Sequence, residues 1–401
     1  MLRTTMFLLL LALNVQAFDM ETALEALASD QLQGRGNGTK SALVAADSIA
    51  NWMDTQNIKL VPGMENRFQD FPLYGEGFAN LQGRNVLGWI PGSGDLANEI
   101  VLIGAHYDHL GLAYKDNNEV SGVYNGAEDN ASGVVSVLQI IGNLTNLNSP
   151  HRSLLVVFFA GEEIGLLGSS YLASNPVVDH KIVAMINVDS VGRLRDDRLY
   201  VGGLGSCERF RAMLKGLDDA YNFDLQLSDG GWDASDHVSF NAIEVPVLFF
   251  FTGPHPQYHS TEDTADLIEY QGLAKVSKLV EQMTILLLTD NENFDYQRNS
   301  DLKPVAQTGK GKKRAWLGTI PDFVEGVDGV KLSGVMPGSP ADESGLTRGD
   351  VLTIFDGDII ANLRDLTRVL QQHSEGEMVE VVVIRDEKEK SFNITLRKRP
   401  N

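Results

Sequence analysis

The stretch VVFFAGEEIGLLGS runs from Val156 to Ser169. Its first part is unbroken apolar sequence, the pattern of a strand buried on both faces. The run ends at Gly161, and two carboxylates come next, side by side, Glu162 and Glu163. Adjacent negative charges at the mouth of a buried strand repel each other and lose hydration. Their placement raises the question of what they hold.

Segments on either side alternate in character. RNVLGWI (84–90) and EIVLIGAH (99–106) flank PGSGDLAN, whose Pro and Gly mark a turn, so the two read as a strand pair. ASGVVSVLQIIGNL (131–144) has helical apolar spacing, with Asp129 or Asn130 as its cap. SLLVVFFA (153–160), KIVAMINV (181–188) and VPVLFFF (245–251) read as strands. GLLGSSYLASN (165–175), SCERFRAMLKGLDDAY (206–221) and LAKVSKLVEQMTILLL (273–288) read as helices. Two further helices are expected before residue 56. This alternation predicts an α/β fold, a mostly parallel mixed sheet with helices on both faces.

The bulk properties narrow the function. The chain has 401 residues and a formal net charge of -21, which argues against nucleic acid and anionic membranes as partners. Arg3, the apolar stretch from Met6 to Val15 and the small residues before Phe18 read as a cleavable signal peptide over 1–17. The apolar stretch is too short for a membrane span. Cys207 is the sole cysteine, so an intrachain disulfide is impossible. A bacterial periplasmic or secreted protein is the expectation.

Four apolar runs deliver the same chemistry. IVLIGA is followed by His106 and Asp108, LLVVFFA by Glu162 and Glu163, IVAMINV by Asp189, and VPVLFFF, after a loop, by Tyr258 and His259. Asp129 joins them at a helix start. In an open parallel sheet, ligands bind beyond the carboxyl ends of the strands. A single acid there is routinely a helix cap, but four strands ending this way call for a cation. Imidazole and carboxylate without thiol suit zinc, manganese or cobalt. Two histidines with three carboxylates exceed one tetrahedral site and fit two metals about 3.5–4 Å apart.

The segments AHYDH, GAEDNASG, AGEE, NVDSVG and YHSTEDT, in this order, resemble the five motifs of the M28 metallopeptidases, the dizinc aminopeptidases. The resemblance covers roughly residues 20 to 290 and implies a phosphorylase/hydrolase-like zinc exopeptidase fold. It implies that His106 and Asp189 bind one zinc, that Glu163 and His259 bind the other, and that Asp129 bridges them. Asp108 matches a carboxylate that accepts the other N–H of the ligand imidazole. Glu162 matches the general base for the attacking water, and Tyr258 a donor to the developing oxyanion. The family has a cis peptide after the bridging aspartate. Asp236 and His237, in WDASDHVSF, are expected near the substrate pocket, His109 and His255 read as loop residues, and Arg193 is left without an assigned role. The implied activity is removal of N-terminal residues from peptides with a free N-terminus. Alternatives on the same scaffold are glutaminyl cyclase-like acyl transfer and carboxypeptidase or dipeptidase action. A non-catalytic binding protein is disfavoured by the intact set of ligands and base.

From Asn291 the apolar periodicity disappears, and a linker is expected over 293–313, separating a peptidase domain (18–292) from a small β-rich one (314–401). WLGTIPDF, PGSPADESGLTRGDVLTIFDGDII and NLRDLTRVLQQHSEGEMVEVVVIRD resemble a PDZ domain. That resemblance implies strand addition by a peptide, with its C-terminal carboxylate in a backbone nest at Trp316, Leu317 and Gly318. Pro321 lacks an N–H for such pairing and Asp322 adds a negative charge beside it, so the expectation is either weak peptide capture or a domain that packs against the peptidase and shapes access to its cleft.

Overall fold

A computed structural model describes residues 18–298 and 315–398, apart from 74–77, 79, 116, 146, 148, 231–234, 322–327, 337, 362 and 371. The proposed signal peptide, Asp322 and most of the expected linker lie outside the described residues.

In chain order the strands of the larger unit are β1 (Phe68–Pro72), β2 (Gln82–Ile90), β3 (Glu99–His106), β4 (Gly111–Tyr114), β5 (Val120–Tyr124), β6 (Ser153–Phe159), β7 (Lys181–Val188), β8 (Arg198–Gly202), β9 (Asp224–Leu227) and β10 (Val247–Phe251). The helices are α1 (Met20–Leu27), α2 (Lys40–Thr55), α3 (Gly133–Leu144), α4 (Leu167–Ser174), α5 (Arg209–Tyr221), α6 (His237–Asn241) and α7 (Tyr270–Thr289). An eight-stranded mixed sheet runs β1-β2-β6-β3-β7-β10-β8-β9, and β4 and β5 form a separate hairpin. The four central strands, β6, β3, β7 and β10, are mutually parallel.

Both faces of these strands are buried, which is why the sequence shows apolar runs in place of alternation. Val101, Ile103 and Ala105 of β3 enter one core with α1, α2, α3 and α7. Ile100 and Leu102 enter a second core with Leu172 of α4 and Phe240 of α6. Each helix thus covers one side of a single buried sheet.

One pairing differs from the sequence reading. β2 and β3 are not neighbours, because β6 lies between them, antiparallel to β2 and parallel to β3. The PGSGDLAN turn reverses the chain but does not fix pairing. A β6 apolar on both faces gains more in the centre of the sheet than at an edge, so it inserts there.

The polypeptide also stays on this unit past Asn293. Phe294 is buried in the core, 6.1 Å from the Phe210 ring between centroids. Arg152 lies over the Phe294 ring at 5.1 Å, Arg209 at 5.2 Å, and Gln297 N–H donates to the Ser206 carbonyl at 2.8 Å. The periodicity vanishes before the packing does, since a single aromatic anchor has no period.

The smaller unit has its own core, including Leu317, Leu332, Leu346, Leu352, Phe355 and Val381. Its main sheet places Thr319–Pro321 at one edge, paired with Val330–Val335. Val351–Phe355 and Asp358–Ile359 form the expected strand pair, and Leu363–Leu370 the expected helix. Buried Asp350 accepts from Arg385 Nε at 2.5 Å and Nη2 at 2.6 Å, tying the turn after Leu346 to the last long hairpin.

Candidate active site

The four parallel strands end level. His106 pairs with Phe159, Gly104 with Asn187, and Val188 with Phe250. The residues just past each strand therefore arrive at one edge, and their side chains converge there. His106 Nε2 lies 3.2 Å from Asp129 Oδ1, 3.4 Å from Asp189 Oδ1 and 4.0 Å from Glu162 Oε2. His259 Nε2 lies 3.0 Å from Asp129 Oδ2 and 3.2 Å from Glu163 Oε2. One carboxylate, Asp129, thus offers one oxygen to each histidine. Ligands at about 2.0–2.1 Å from a tetrahedral ion are separated by about 3.3–3.4 Å, close to these spacings.

Several contacts present Asp129. The peptide bond Asp129–Asn130 is cis. Asn130 Oδ1 accepts from Gly133 N–H at 2.9 Å and from Ser190 N–H at 3.0 Å, so Asn130 ties the start of α3 to the segment after β7 and Asp129 is left to face the site. The Asp263 carboxylate accepts from the backbone N–H of Glu128 and of Asp129, each at 3.1 Å. Glu128, fully buried, turns away and accepts from Gly192 N–H at 2.7 Å and Thr252 Oγ1 at 2.8 Å. Burial, with Asp263 beside it, pushes the Glu128 carboxyl up to about 8. Behind the loop, Arg35 is fully buried and donates to the carbonyls of Tyr107, Leu27, Asn125 and Gly126 at 2.7–2.8 Å.

The other members are held as firmly. Asp189 Oδ2 accepts from Ser235 Oγ at 2.7 Å, and Ser235 accepts from Asn187 at 2.8 Å. Asp108 lies beside the His106 ring and is held from several directions. Its carboxylate is 3.9 Å from Nδ1, and its backbone carbonyl is 3.2 Å away. The carboxylate accepts from Glu162 N–H at 3.2 Å, Glu163 N–H at 3.3 Å and Asn37 Nδ2 at 2.6 Å. Asp108 thus fixes the turn that carries the glutamate pair.

Tyr258 stacks on His259, with centroids 3.8 Å apart, and is 38% exposed. Asp236 is buried beside the site, and burial pushes it up to about 7. His237 instead stacks on Phe249 at 4.6 Å. Arg193 donates to His255 Nδ1 at 2.5 Å and to Gln257 at 2.9 Å. His109, read as a loop residue, belongs to the cluster: its Nδ1 is 2.7 Å from Glu163 Oε1.

The electrostatics are those of a cation site. Burial works against charging His106, yet Asp189, Glu162 and Asp129 hold it well above the usual imidazole range. His259 rises to about 9 against burial because of Glu163 and Asp129. Despite burial, His109, His106 and His259 keep Asp129 well below the carboxylate range. Arg35 attracts Asp129, Asp108, Asp263 and Glu163 through space, while its hydrogen bonds go to carbonyls. Glu163 Oε1 and both ring nitrogens of His109 are buried with no hydrogen-bond partner among the described residues. Two groups of donors lie close enough to share an ion, His106–Asp129–Asp189 and His109–Asp129–Glu163. Imidazole and carboxylate donors without thiol fit zinc.

The chain is similar to several known proteins. The chain is 31% identical over 205 residues to a probable leucine aminopeptidase of Arthroderma benhamiae, covering 48% of this chain and 54% of that one. It is 28% identical over 220 residues to aminopeptidase YwaD of Bacillus subtilis, covering 51% and 44%. A stretch of 98 residues, 22% of the chain, is 38% identical to 21% of a probable periplasmic serine endoprotease DegP-like of a Marinomonas species. The chain spans about half or less of the length of these relatives. The fold is shared with LapA of Legionella pneumophila (TM-score 0.53, 20% identity, 69% of this chain and 74% of that one). It is also shared with Porphyromonas gingivalis glutaminyl cyclase (TM-score 0.54, 18% identity, 68% and 98%). Residues 85–284 belong to peptidase family M28, and residues 289–396 to the PDZ domains.

Proposed function

We propose that the protein is a zinc-dependent aminopeptidase that removes N-terminal residues from peptides. The observation that carries this reading is the convergence of His106, Asp129 and Asp189 on one side, and Glu163 and His259 on the other, with Glu162 alongside. The aminopeptidase names of the relatives support the choice among hydrolases. In this reading His106 and Asp189 would hold one zinc and Glu163 and His259 the other, with Asp129 shared between them. When bound, the metal pair supplies Lewis-acid polarisation of the scissile carbonyl.

The protein's own residues then move the proton. The Glu162 side chain is 12% exposed and that of Glu163 is 5%, so Glu162 is the member of the pair that a water in the cleft can reach. Its carboxylate takes a proton as the water oxygen bonds to the carbonyl carbon. It returns that proton to the nitrogen as the C–N bond breaks. Asp108 positions both glutamates through their backbone N–H groups. Tyr258, stacked on His259 and partly exposed, is the proposed donor to the carbonyl oxygen.

The proposed domain plan is a signal peptide over 1–17, a peptidase unit, a linker, and a PDZ domain from about residue 314 that takes peptide C-termini. A periplasmic or secreted site agrees with the periplasmic relative of the C-terminal segment. Among the described residues no helix is long and apolar enough to cross a membrane.

Aminoacyl-p-nitroanilides and N-blocked peptides, each with and without chelator, test the reaction. Chelator-sensitive cleavage of free-amine substrates alone is expected. Cleavage of blocked peptides, or ring closure of N-terminal glutamine without peptide cleavage, would overturn the assignment.

A further inference from the structure

His109 sits within the cluster and has no part in the proposed mechanism. It lies three residues past the end of β3, and only 1% of its surface is exposed. Its Nδ1 is 2.7 Å from Glu163 Oε1 and 3.9 Å from Asp129 Oδ2. The two atoms are close, and neither has any other partner among the described residues. Buried polar atoms call for a partner, and His109, Asp129 and Glu163 lie close enough together to share an ion.

The ring is also held in place. Its edge meets the His259 ring with centroids 5.7 Å apart and planes at 70°. On the other side lies Gly126, at φ 56°, where a Cβ would come within 2.5 Å of the His109 ring. The glycine gives the ring its place, and the Gly126 carbonyl is itself fixed by Arg35 at 2.8 Å. A loop histidine packed this tightly against the Asp129 loop is part of the cluster's construction.

Resting on the dizinc assignment, we propose that His109 is a fourth protein ligand to the ion on the Glu163 side. That position then has His109, His259, Glu163 and the shared Asp129. The position on the other side has three donors, His106, Asp189 and Asp129. Four donors complete a tetrahedral ion, while three leave one place open. The two positions are therefore unlike. The Glu163 side holds its ion tightly and exchanges it slowly. The open place is on the His106 side, where Glu162 Oε2 stands 4.0 Å from His106 Nε2.

Two measurements test this. The first is anomalous diffraction from crystals of the wild-type protein loaded with zinc. The expected result is two ions, with a His109 ring nitrogen about 2.0–2.1 Å from the one on the Glu163 side. Two ions with the His109 nitrogens beyond about 3 Å would overturn the proposal and leave the dizinc assignment standing. Crystals that take up no ion would overturn both. The second is cobalt titration of the wild type and of His109→Asn, followed by visible absorption, with circular dichroism of the metal-free variant as the check on folding. One of the two wild-type binding steps should weaken by about 10-fold or more in the variant, and the absorption of that step should change. Two unchanged steps with unchanged spectra would overturn the proposal. If the variant does not fold, the wild-type diffraction decides alone.

Discussion

Glu162 and Glu163 are adjacent in the chain and lie in opposite electrostatic environments. Burial raises both, but His259 and His109 bring Glu163 down to about 2. Glu162 stays well above the usual carboxylate range, with burial, Glu163, Asp236 and Asp189 outweighing His106. One member of the pair is placed to meet a cation and the other to carry a proton. Glu162→Gln should lower kcat by about 10²- to 10⁴-fold with both metals retained. Glu163→Gln should lose metal from one position. Elemental analysis of the two purified variants, beside their rates, checks this; equal metal loss in both would reverse the assignment.

Arg35 is a buried cation whose partners are four backbone carbonyls. Replacing it by Met leaves those carbonyls without donors in a dry interior. A loss of about 2–5 kcal/mol in folding free energy is expected, seen as a lower denaturant midpoint. Metal affinity should fall as well, because the Gly126 carbonyl anchors the loop that carries Asp129. Unchanged stability in Arg35→Met would show that the loop is held by other contacts alone.

His255 gives the protein an acid-sensitive element outside the metal ligands. Burial, then Arg193, depresses its pKa to about 3. The unfolded chain takes up the proton near pH 6.5, whereas the folded chain resists until about pH 3. The unfolded state therefore binds more protons in that window, and stability falls as pH drops, by up to about 1.4 kcal/mol per unit. Denaturation of wild type and His255→Gln at pH 7 and about pH 5.5 should show a shallower acid loss in the variant. Parallel curves would assign the acid sensitivity elsewhere.

A chain ending at Arg298 should fold and cleave small aminoacyl substrates at close to the full-length rate. One ending at Asn293 loses Phe294 and the contacts of Gln297. Removing a buried Phe costs about 3–5 kcal/mol, so the shorter chain should melt at lower temperature. Equal melting temperatures would show that the segment after Asn293 adds nothing.

The strand ends were legible in the sequence because chemistry and topology coincide there: an apolar run followed by His or acid reads as a buried parallel strand with a ligand at its exit. The order of strands was not, since β6 inserts between β2 and β3 for reasons of burial that no turn signal records. Residues that act on backbone atoms were hidden as well. Arg35 looks like a surface charge until its glycine neighbours and four carbonyl partners are seen. Asp263, in a run of polar residues, gives no hint that it holds the N–H groups of Glu128 and Asp129. His109 carried a weak signal, an extra imidazole three residues past His106, and a lone loop histidine is ordinarily structural.

The loop that presents Asp129 is clasped from both directions along the chain, by Arg35 before it and Asp263 after it. A nascent polypeptide therefore cannot complete its centre until synthesis has passed Asp263, after His259 has also emerged. Until then the chain lacks both a ligand and the clasp.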